Sequence, residues 1–195
     1  MAKKDPKLIL VCGQKGGTGK TMIADELAFS MERSGISYTF VDLDGQGSAI
    51  HHTAEEQPED SLVTIVDTAG KLDKRISRVL EAADLVIVPS HMSYGDMTPL
   101  TTMIETVSAN KKPSQIMYVL NEADRFKGAQ AFTAWIDGLK LKSDIFRIPR
   151  SEMFVQAAIC KKSVIGYAPR SSAATAMKEF VNAVRRKVKL PEEQF

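Results

Sequence analysis

Short apolar runs rich in β-branched residues recur along this chain, and they constrain its fold more than any other feature. We predict strands at six of them: Leu8–Cys12, Tyr38–Leu43, Leu62–Val66, Leu85–Val88, Gln115–Leu120 and Ile145–Ile148. The runs are apolar almost throughout and do not alternate with polar residues, which is typical of parallel strands buried on both faces. Because parallel strands need long crossover connections, the sequence predicts helices between them.

Apolar residues at helical spacing mark four further segments. Gly35 follows the first of these segments and predicts its end, since glycine is favoured just after a helix. The predicted helical faces are Ile23, Leu27 and Met31; Met97, Leu100, Ile104 and Val107; Phe132, Trp135, Ile136 and Leu139; and, in a last helix, Ala173, Met177, Phe180, Val181, Val184 and Val188. The alternation predicts an α/β fold with a doubly wound, mainly parallel sheet flanked by helices on both faces.

Composition places the chain among ordinary globular proteins. Its 195 residues suit a single domain over 1–195, and 44% of them are hydrophobic. These values argue against a disordered, collagen-like or coiled-coil chain. The net charge of +2 excludes a protein that is basic all over, although a local basic patch remains compatible with it.

Cysteine usage and hydropathy indicate a compartment. The two cysteines, Cys12 and Cys160, are too few for a four-ligand zinc site or an iron–sulfur cluster within one chain. Cys12 falls in a predicted buried strand, so we expect free thiols and a reducing environment. No apolar run approaches the length of a membrane span, and the basic start of the chain lacks a signal-peptide core. We therefore expect a cytoplasmic protein.

A glycine-rich segment, QKGGTGKT (residues 14–21), lies between the first predicted strand and the first predicted helix. This is the context that a phosphate-binding loop requires, because glycines let backbone N–H groups approach an anion and the helix N-terminus adds a positive dipole end. We expect Lys20 to reach the β- and γ-phosphates and the Thr21 hydroxyl to ligate Mg²⁺. The predicted phosphate contacts are Gly16, Gly17, Thr18, Gly19, Lys20 and Thr21.

Aspartates close two of the predicted strands. Asp42 and Asp44 follow the second strand and Asp67 follows the third. Carboxylates at the carboxyl ends of neighbouring parallel strands face the ligand crevice, where phosphoryl transfer needs a held Mg²⁺ and a positioned water. Any one of these residues could instead be a loop aspartate or a helix cap, but three in register with a phosphate loop favour the metal site.

The phosphate loop departs from the general pattern in one detail, since Gln14 replaces a glycine and Lys15 precedes the glycine pair. This K-G-G-x-G-K-[ST] arrangement resembles the deviant Walker A motif of the ParA/MinD family of P-loop ATPases, and in particular its small ParA-type plasmid partition ATPases. The resemblance implies an ATP-dependent homodimer in which Lys15 reaches the nucleotide of the facing subunit and acts in catalysis together with Lys20. A second cation near the γ-phosphate would stabilise developing negative charge, as an arginine finger does.

Residues 42–48 (DLDGQGS) are similar to the family's D-x-D segment, although the usual proline is absent. By resemblance, Asp44 positions or activates the attacking water as a catalytic residue, and Asp42 lies near Mg²⁺. The same resemblance implies that Asp44, Gly45 and Gln46 form a nucleotide-sensing switch.

Residues 67–70 (DTAG) resemble a Walker B segment with its second switch. The resemblance implies that Asp67 contacts Mg²⁺ through water and that the Gly70 N–H senses the γ-phosphate. It also implies that Asn121 and Pro149 contact the base. Asn121 opens an NEAD segment that faintly resembles the guanine-reading N-K-x-D of GTPases, and we favour ATP because the lysine is missing.

The predicted loop between the second and third strands carries a histidine pair, His51 and His52, ahead of a polar stretch at 54–61. A metal site there is one interpretation. We favour a solvated pair in a surface loop, because the sequence offers no evident third ligand.

The last predicted helix carries basic residues away from its apolar face: Lys178, Arg185, Arg186 and Lys189. A solvated surface helix and a patch for non-specific DNA explain them about equally well. A membrane-surface helix of the MinD type is a weaker alternative, because such a helix needs bulkier apolar residues.

By resemblance, the chain is expected to be a slow ATPase that partitions plasmid DNA or positions a cargo on the nucleoid. It would be stimulated by a ParB-like activator and would lack a DNA-reading domain of its own. Two alternatives stay open. One is a MinD-like membrane-recruited regulator, and the other is a metabolic ATP-dependent ligase or kinase on the same fold.

Overall fold

The computed structural model describes residues 5–44, 49–51, 60–70, 74–123 and 127–195. Its strands are β1 (Lys7–Val11), β2 (Tyr38–Asp42), β3 (Val63–Asp67), β4 (Leu85–Ser90), β5 (Ile116–Ala123) and β6 (Asp144–Pro149). They form one six-stranded sheet in the order β2-β3-β1-β4-β5-β6, with every pairing parallel. The six predicted strands and the predicted fold class are therefore confirmed, and the strand ends differ from the predictions by at most a few residues.

Seven α-helices lie in the described part of the chain: α1 (Lys20–Arg33), α2 (Lys74–Ala82), α3 (Tyr94–Asn110), α4 (Lys127–Gly138), α5 (Glu152–Ile159), α6 (Val164–Tyr167) and α7 (Ser172–Lys187). A 3₁₀ turn covers Pro113–Gln115. The four predicted helices correspond to α1, α3, α4 and α7. The sequence prediction missed α2, α5 and α6.

Two apolar layers pack on the sheet, one against each face. Helices α1, α5, α6 and α7 cover the first face, where Phe180 and Val184 are fully buried. Helices α2, α3 and α4 cover the second face, where Phe132 and Ile136 are fully buried. Every residue of β4 is buried, because its neighbours on both sides are strands and both faces carry helices. This double coverage explains why the strands are apolar almost throughout.

Cys12, just beyond β1, is buried as expected, and both cysteines are free thiols. Burial raises the pKa of Cys12 to about 12, so this thiol remains protonated at neutral pH. Cys160 is exposed at the end of α5.

The register of the sheet fixes where a ligand can bind. Val11 and Asp42 are both Cα partners of Asp67, so β1, β2 and β3 end at the same level. After β1, the chain adds β2 and β3 on one side of this strand and then β4, β5 and β6 on the other side. Such a reversal of strand order opens a crevice at the carboxyl ends of the strands. The loop from β1 to α1 and the acidic ends of β2 and β3 therefore converge on one crevice.

Candidate active site

The loop between β1 and α1 owes its shape to glycine. Gly17 and Gly19 have φ angles of +76° and +92°, a left-handed region in which residues with a Cβ are strained. Gly19 is the N-cap of α1, and its carbonyl accepts the Ile23 N–H at 3.0 Å. The helix therefore starts directly at the loop, and its free N–H groups and dipole favour an anion there.

Lys20 is held inside this loop. Its residue is 4% exposed, and Nζ donates to the Lys15 carbonyl at 3.0 Å. The Thr18 hydroxyl donates to the same carbonyl at 3.4 Å. The loop thus positions a nearly buried ammonium group beside the backbone N–H groups of its glycines, which is the arrangement that phosphate binding needs.

Asp67 ends β3 next to Thr21, the second residue of α1. The Thr21 hydroxyl donates to Oδ2 of Asp67 at 2.7 Å, and Asp67 is fully buried. Burial raises the pKa of Asp67 to about 6; the charges of Asp42 and Asp44 act in the same direction, while the Thr21 hydrogen bond and Lys20 oppose them. Three carboxylates therefore crowd one another at the crevice, as we expected from the strand ends.

A divalent cation fits this cluster. Within the described residues, Oδ1 of Asp67 is a buried oxygen without a hydrogen-bond partner. A cation would satisfy that oxygen and relieve the repulsion between Asp67 and Asp42, while the Thr21 hydroxyl supplies a further oxygen ligand. Mg²⁺ suits such a site, because it is usually bound by one or two carboxylates together with water and substrate phosphates.

The two predicted switch segments are described in part. The Asp44 N–H donates to Oδ1 of Asp42 at 2.8 Å, which places Asp44 at the rim of the acidic cluster. The predicted switch residues Gly45 and Gln46 lie outside the described residues. On the other side, a Cβ added to Gly70 would lie 3.2 Å from the Gly16 nitrogen, so the segment that follows β3 closely approaches the backbone of the phosphate loop. Glycine permits that close approach.

Lys15 lies at the outer rim of the loop, and its side chain is 42% exposed. Its Nζ forms an ion pair with Oδ1 of Asp96 at 2.6 Å, in the first turn of α3. Burial disfavours ionisation of Asp96, but hydrogen bonds from Lys15 and Ser93 and the Lys15 charge outweigh it and lower the pKa of this carboxyl. Asp96 is 1% exposed, so it is a fixed anchor for a side chain that otherwise faces solvent.

Asp96 was not among the predicted site residues. The signal that could have found it is the spacing of Ser93 and Asp96 at a predicted helix start, since Ser-x-x-Asp is typical of helix N-termini. In the structure the Ser93 hydroxyl donates to Asp96. The same helix start therefore fixes the carboxylate that contacts Lys15.

Beside the loop lies a pocket of about 260 Å³. Its lining includes Gly17, Gly19, Asn121 and Pro149, and α5 closes one side. The two residues that the resemblance assigned to the base therefore lie on the wall of one pocket. Asn121, however, is a 6% exposed residue whose amide donates to the Thr18 carbonyl at 3.1 Å.

His51 is not a solvated loop residue, so our preferred interpretation of this histidine was wrong. Its side chain is 10% exposed, and its ring nitrogens contact Asp25 at 2.8 Å and Glu32 at 3.2 Å, both on α1. The ring also packs against Phe29 and Phe40. Among the described residues, His51 belongs to no group of three or more His, Cys, Asp and Glu side chains that could hold a metal ion. His52 lies outside the described residues.

Arg185 does not belong to an exposed basic patch, so its prediction as a DNA-binding residue is wrong. It is 1% exposed, and its guanidinium donates to the Ser30 carbonyl at 2.6 Å and to the Ser34 hydroxyl at 2.7 Å. It also lies 3.8 Å from the buried carboxylate of Glu193. Arg185 joins α7 to α1 and to the chain that follows α7.

The other predicted DNA contacts are at the surface, and two of them also meet the segment 190–195. Arg186 pairs with the exposed Glu192 at 2.9 Å. The Lys178 ammonium lies 5.3 Å from the centre of the Phe195 ring. Lys189 is exposed, with a left-handed φ of +59°. The segment 190–195 thus lies along the basic side of α7.

The amino-acid sequence is similar to those of known nucleotide-binding proteins. A sequence profile described as the CobQ/CobB/MinD/ParA nucleotide-binding domain matches residues 9–164. A curated relative, "Protein ParA" of Rhizobium radiobacter, is 29% identical over 47% of this chain. The chain spans about half the length of that relative, 51%.

Solved structures with the same fold include several nucleotide complexes. A single-residue variant of Cyanothece McdA in complex with ATP has a TM-score of 0.76 at 16% identity, covering 98% of this chain and 100% of that one. A plasmid partition protein of Borrelia burgdorferi bound to AMPPNP has a TM-score of 0.73 at 13% identity, covering 94% and 100%. The MinD–Mg-ADP complex of Pyrococcus horikoshii has a TM-score of 0.65 at 14% identity, covering 95% and 100%. No described helix has the length and apolar character needed to cross a bilayer.

Proposed function

Because the chain belongs to the CobQ/CobB/MinD/ParA nucleotide-binding domain family, we propose that it is a ParA-like ATPase that partitions plasmid DNA or positions a cargo. In this proposal it acts as a single domain over 1–195. ATP and Mg²⁺ drive face-to-face dimerisation, and the dimer binds DNA non-specifically. A ParB-like activator stimulates a slow hydrolysis, and the protein works in the cytoplasm, associated with the nucleoid.

The position of Lys15 carries the proposal. A lysine that served the phosphates of its own site would point into the loop, as Lys20 does. Lys15 instead points out of the loop to Asp96 on α3, with 42% of its side chain exposed. An exposed cation at the rim of a phosphate site can reach a second nucleotide only across an interface. This geometry supports a dimer in which each Lys15 serves the facing subunit.

The remaining site residues support phosphoryl transfer within one subunit. Lys20 and the glycine N–H groups bind and orient the phosphates, while Thr21, Asp42 and Asp67 hold Mg²⁺, directly or through water. The cation neutralises charge that develops on the transferred phosphoryl group. Asp44, at the rim of the acidic cluster, orients the attacking water. Lys15 of the facing subunit adds positive charge that is strongest in the transition state.

For DNA, the proposal retains Lys178, Arg186 and Lys189 and omits the buried Arg185. Lysine and arginine at a surface bind phosphates of the DNA backbone irrespective of sequence. Three such contacts in one subunit are few, so binding gains strength when dimerisation doubles them. DNA affinity should therefore depend on ATP and fall steeply with salt.

The test is ATP-dependent dimerisation, measured by sedimentation velocity with ATP, ADP or no nucleotide. We expect the wild type to dimerise with ATP alone. Lys20→Ala should abolish nucleotide binding, Lys15→Ala should bind ATP yet remain monomeric, and Asp44→Ala should dimerise but fail to hydrolyse. Lys112→Ala, at an exposed position after α3, is the matched control. A monomer with fast turnover unaffected by Lys15→Ala would instead indicate a metabolic ligase or kinase.

One observation favours the MinD-like alternative. Val155 and Ile159 on α5 are 63% and 77% exposed, and Lys161 and Lys162 follow them at the surface. Apolar side chains beside lysines suit a membrane surface that contains anionic lipids. Co-sedimentation with anionic vesicles, without DNA, separates the two functions. ATP-dependent binding to vesicles that Ile159→Ser abolishes would favour this alternative.

A further inference from the structure

Asn121 lies where the buried part of β5 ends, beside the phosphate loop. Its side chain is nearly buried, and both ends of its amide are used. Nδ2 donates to the Thr18 carbonyl at 3.1 Å, and Oδ1 accepts the Glu122 N–H at 2.9 Å. Because one end donates and the other accepts, this pair of bonds fixes the orientation of the amide. Glu122 has a left-handed φ of +55°, so the chain turns sharply where it donates to Asn121.

The same amide packs against the next residue of the loop. A Cβ built on Gly19 would lie 2.2 Å from Nδ2 of Asn121, so the amide occupies the space of a side chain at position 19. The Thr18 carbonyl and the Gly19 N–H belong to one peptide group. In a trans peptide these two groups point in opposite directions. Holding the Thr18 carbonyl toward Asn121 therefore turns the Gly19 N–H away from Asn121.

We propose that Asn121 is a positioning residue of the phosphate loop, which fixes the Thr18–Gly19 peptide with its N–H aimed at the phosphates. This role rests on the proposed function, because it assumes that the site binds ATP. It differs from the base contact expected from the sequence, since its effect reaches the phosphates through Thr18 and does not require a base. Strand β5, on the base side of the site, thereby shapes the loop that follows β1.

The test compares a ligand that has a base with one that has none. The affinities of the wild-type protein for Mg²⁺–ATP and Mg²⁺–tripolyphosphate are measured by titration calorimetry and compared with those of Asn121→Ala and Asn121→Asp. The aspartate keeps the size of the side chain and the acceptor for Glu122, but it lacks the N–H that reaches Thr18 and introduces a carboxylate. Asn110→Ala is the matched control, because its amide also donates to a backbone carbonyl, that of Thr106, but at the far end of α3.

We expect Asn121→Ala to weaken both ligands by the same factor, roughly 2- to 12-fold for a hydrogen bond of ordinary strength. Asn121→Asp should weaken both ligands further, because its carboxylate also repels the phosphates. Asn110→Ala should change neither affinity, and thermal unfolding without ligand should show that every variant is folded. A loss for ATP with unchanged tripolyphosphate binding would overturn the proposal in favour of a base contact. Wild-type affinities in Asn121→Asp would overturn it as well, because the donor would then be dispensable.

The outcome for the wild type separates this role from the function on which it rests. If the wild type binds both ligands but the affinities of the Asn121 variants differ from those expected, only the role of Asn121 is overturned. A wild type that binds neither ligand overturns the assignment as an ATPase, and the role of Asn121 with it.

Discussion

At the scale of single residues, Gly19 shows how the phosphate loop excludes other side chains on two independent grounds. Its φ of +92° is unfavourable for a residue with a Cβ. The amide of Asn121 also lies where that Cβ would be, 2.2 Å from it. The first restriction comes from the backbone conformation of the loop, and the second comes from the side chain of Asn121 on β5.

We therefore expect Gly19→Ala to destabilise the fold by about 1–3 kcal/mol and to abolish nucleotide binding. Gly128→Ala is the control, because Gly128 lies in α4 without neighbours in the space of a Cβ, and alanine is favoured in helices. Urea denaturation measures the first effect and titration with ATP the second. Equal stability of the two variants would show that the loop can relax around a methyl group.

Lys15 contributes to two competing interactions in the proposed cycle, one with Asp96 and one across the dimer. The ion pair with Asp96 must open before Lys15 can reach a second nucleotide, so its free energy opposes dimerisation. An ion pair with one exposed partner contributes up to about 1 kcal/mol.

Because each subunit of the dimer opens such a pair, Asp96→Asn should tighten the ATP-dependent dimer about two- to thirtyfold, as seen in the dissociation constant from sedimentation equilibrium. Asp137→Asn, which removes an exposed ion pair with Arg147, should leave that constant unchanged. Weaker dimerisation in Asp96→Asn would mean that Asp96 orients Lys15 for the interface instead of retaining it.

At the scale of elements, a buried carboxylate connects α1 to α6. Glu26 is 4% exposed, and its two oxygens accept hydrogen bonds from the Val164 N–H and the Ser163 hydroxyl, each at 2.6 Å. Burial raises the pKa of Glu26 above its usual value, and these hydrogen bonds offset only part of that effect. The folded state therefore binds this proton more tightly than the unfolded state does.

The sign of the pH dependence follows from that difference. As pH rises above 4.5, the ordinary value for this carboxyl, Glu26 makes the fold progressively less stable until its folded-state pKa is passed. Glu26→Gln has no such titration, and its amide can still accept from Val164. We expect the free energy of unfolding of Glu26→Gln, relative to the wild type, to increase as pH rises above about 4.5 in urea titrations. A difference that is constant with pH would contradict this account.

The sequence predicted the elements that have a strong pattern and missed those that do not. The strands were found because burial on both faces makes them apolar, and α1, α3, α4 and α7 were found because they show helical periodicity. Helices α5 and α6 are short, but a serine precedes each. Ser151 accepts the Met153 N–H and Ser163 the Ile165 N–H. Those caps were the available signal.

Site residues divide in the same way. Lys20, Thr21 and Asp67 could be predicted, because local spacing and strand ends determine where they lie. The Ser93-x-x-Asp96 spacing indicates only a helix start, and the contact of Asp96 with Lys15 could not be predicted, since it depends on α3 starting beside the phosphate loop. Arg185 was assigned to the wrong environment, because helical periodicity does not show that the segment after α7 returns along it. Contacts between distant parts of the chain leave no periodic signal.

At the scale of the whole molecule, the small net charge of +2 conceals separated charges. The carboxylates of Asp42, Asp44 and Asp67 meet at the crevice. Cations of α7 lie on another surface, where segment 190–195 supplies acidic and aromatic partners. Glu193 holds this segment in place, since Ser30 donates to its carboxylate at 2.7 Å and Asn182 accepts its N–H at 2.8 Å. The basic surface is therefore partly neutralised by the chain itself.

Neutralisation by Glu192 has a measurable consequence if α7 binds DNA. Arg186 pairs with Glu192 at 2.9 Å, and both side chains are about half exposed, so removing the acid costs little stability. Glu192→Gln should leave Arg186 free to contact a phosphate. Affinity for duplex DNA in the presence of ATP should rise, and the slope of log affinity against log salt should steepen by up to about 0.9 for each added contact.

The matched control is Glu179→Gln, which removes the same charge from an exposed position on α7. Fluorescence anisotropy with a labelled duplex between about 50 and 200 mM salt gives both slopes. If Glu179→Gln steepens the slope as much as Glu192→Gln, the effect is one of net charge and the pairing of Arg186 is irrelevant. If neither variant changes the slope, Arg186 does not contact DNA, and Lys178 and Lys189 are the remaining predicted DNA contacts.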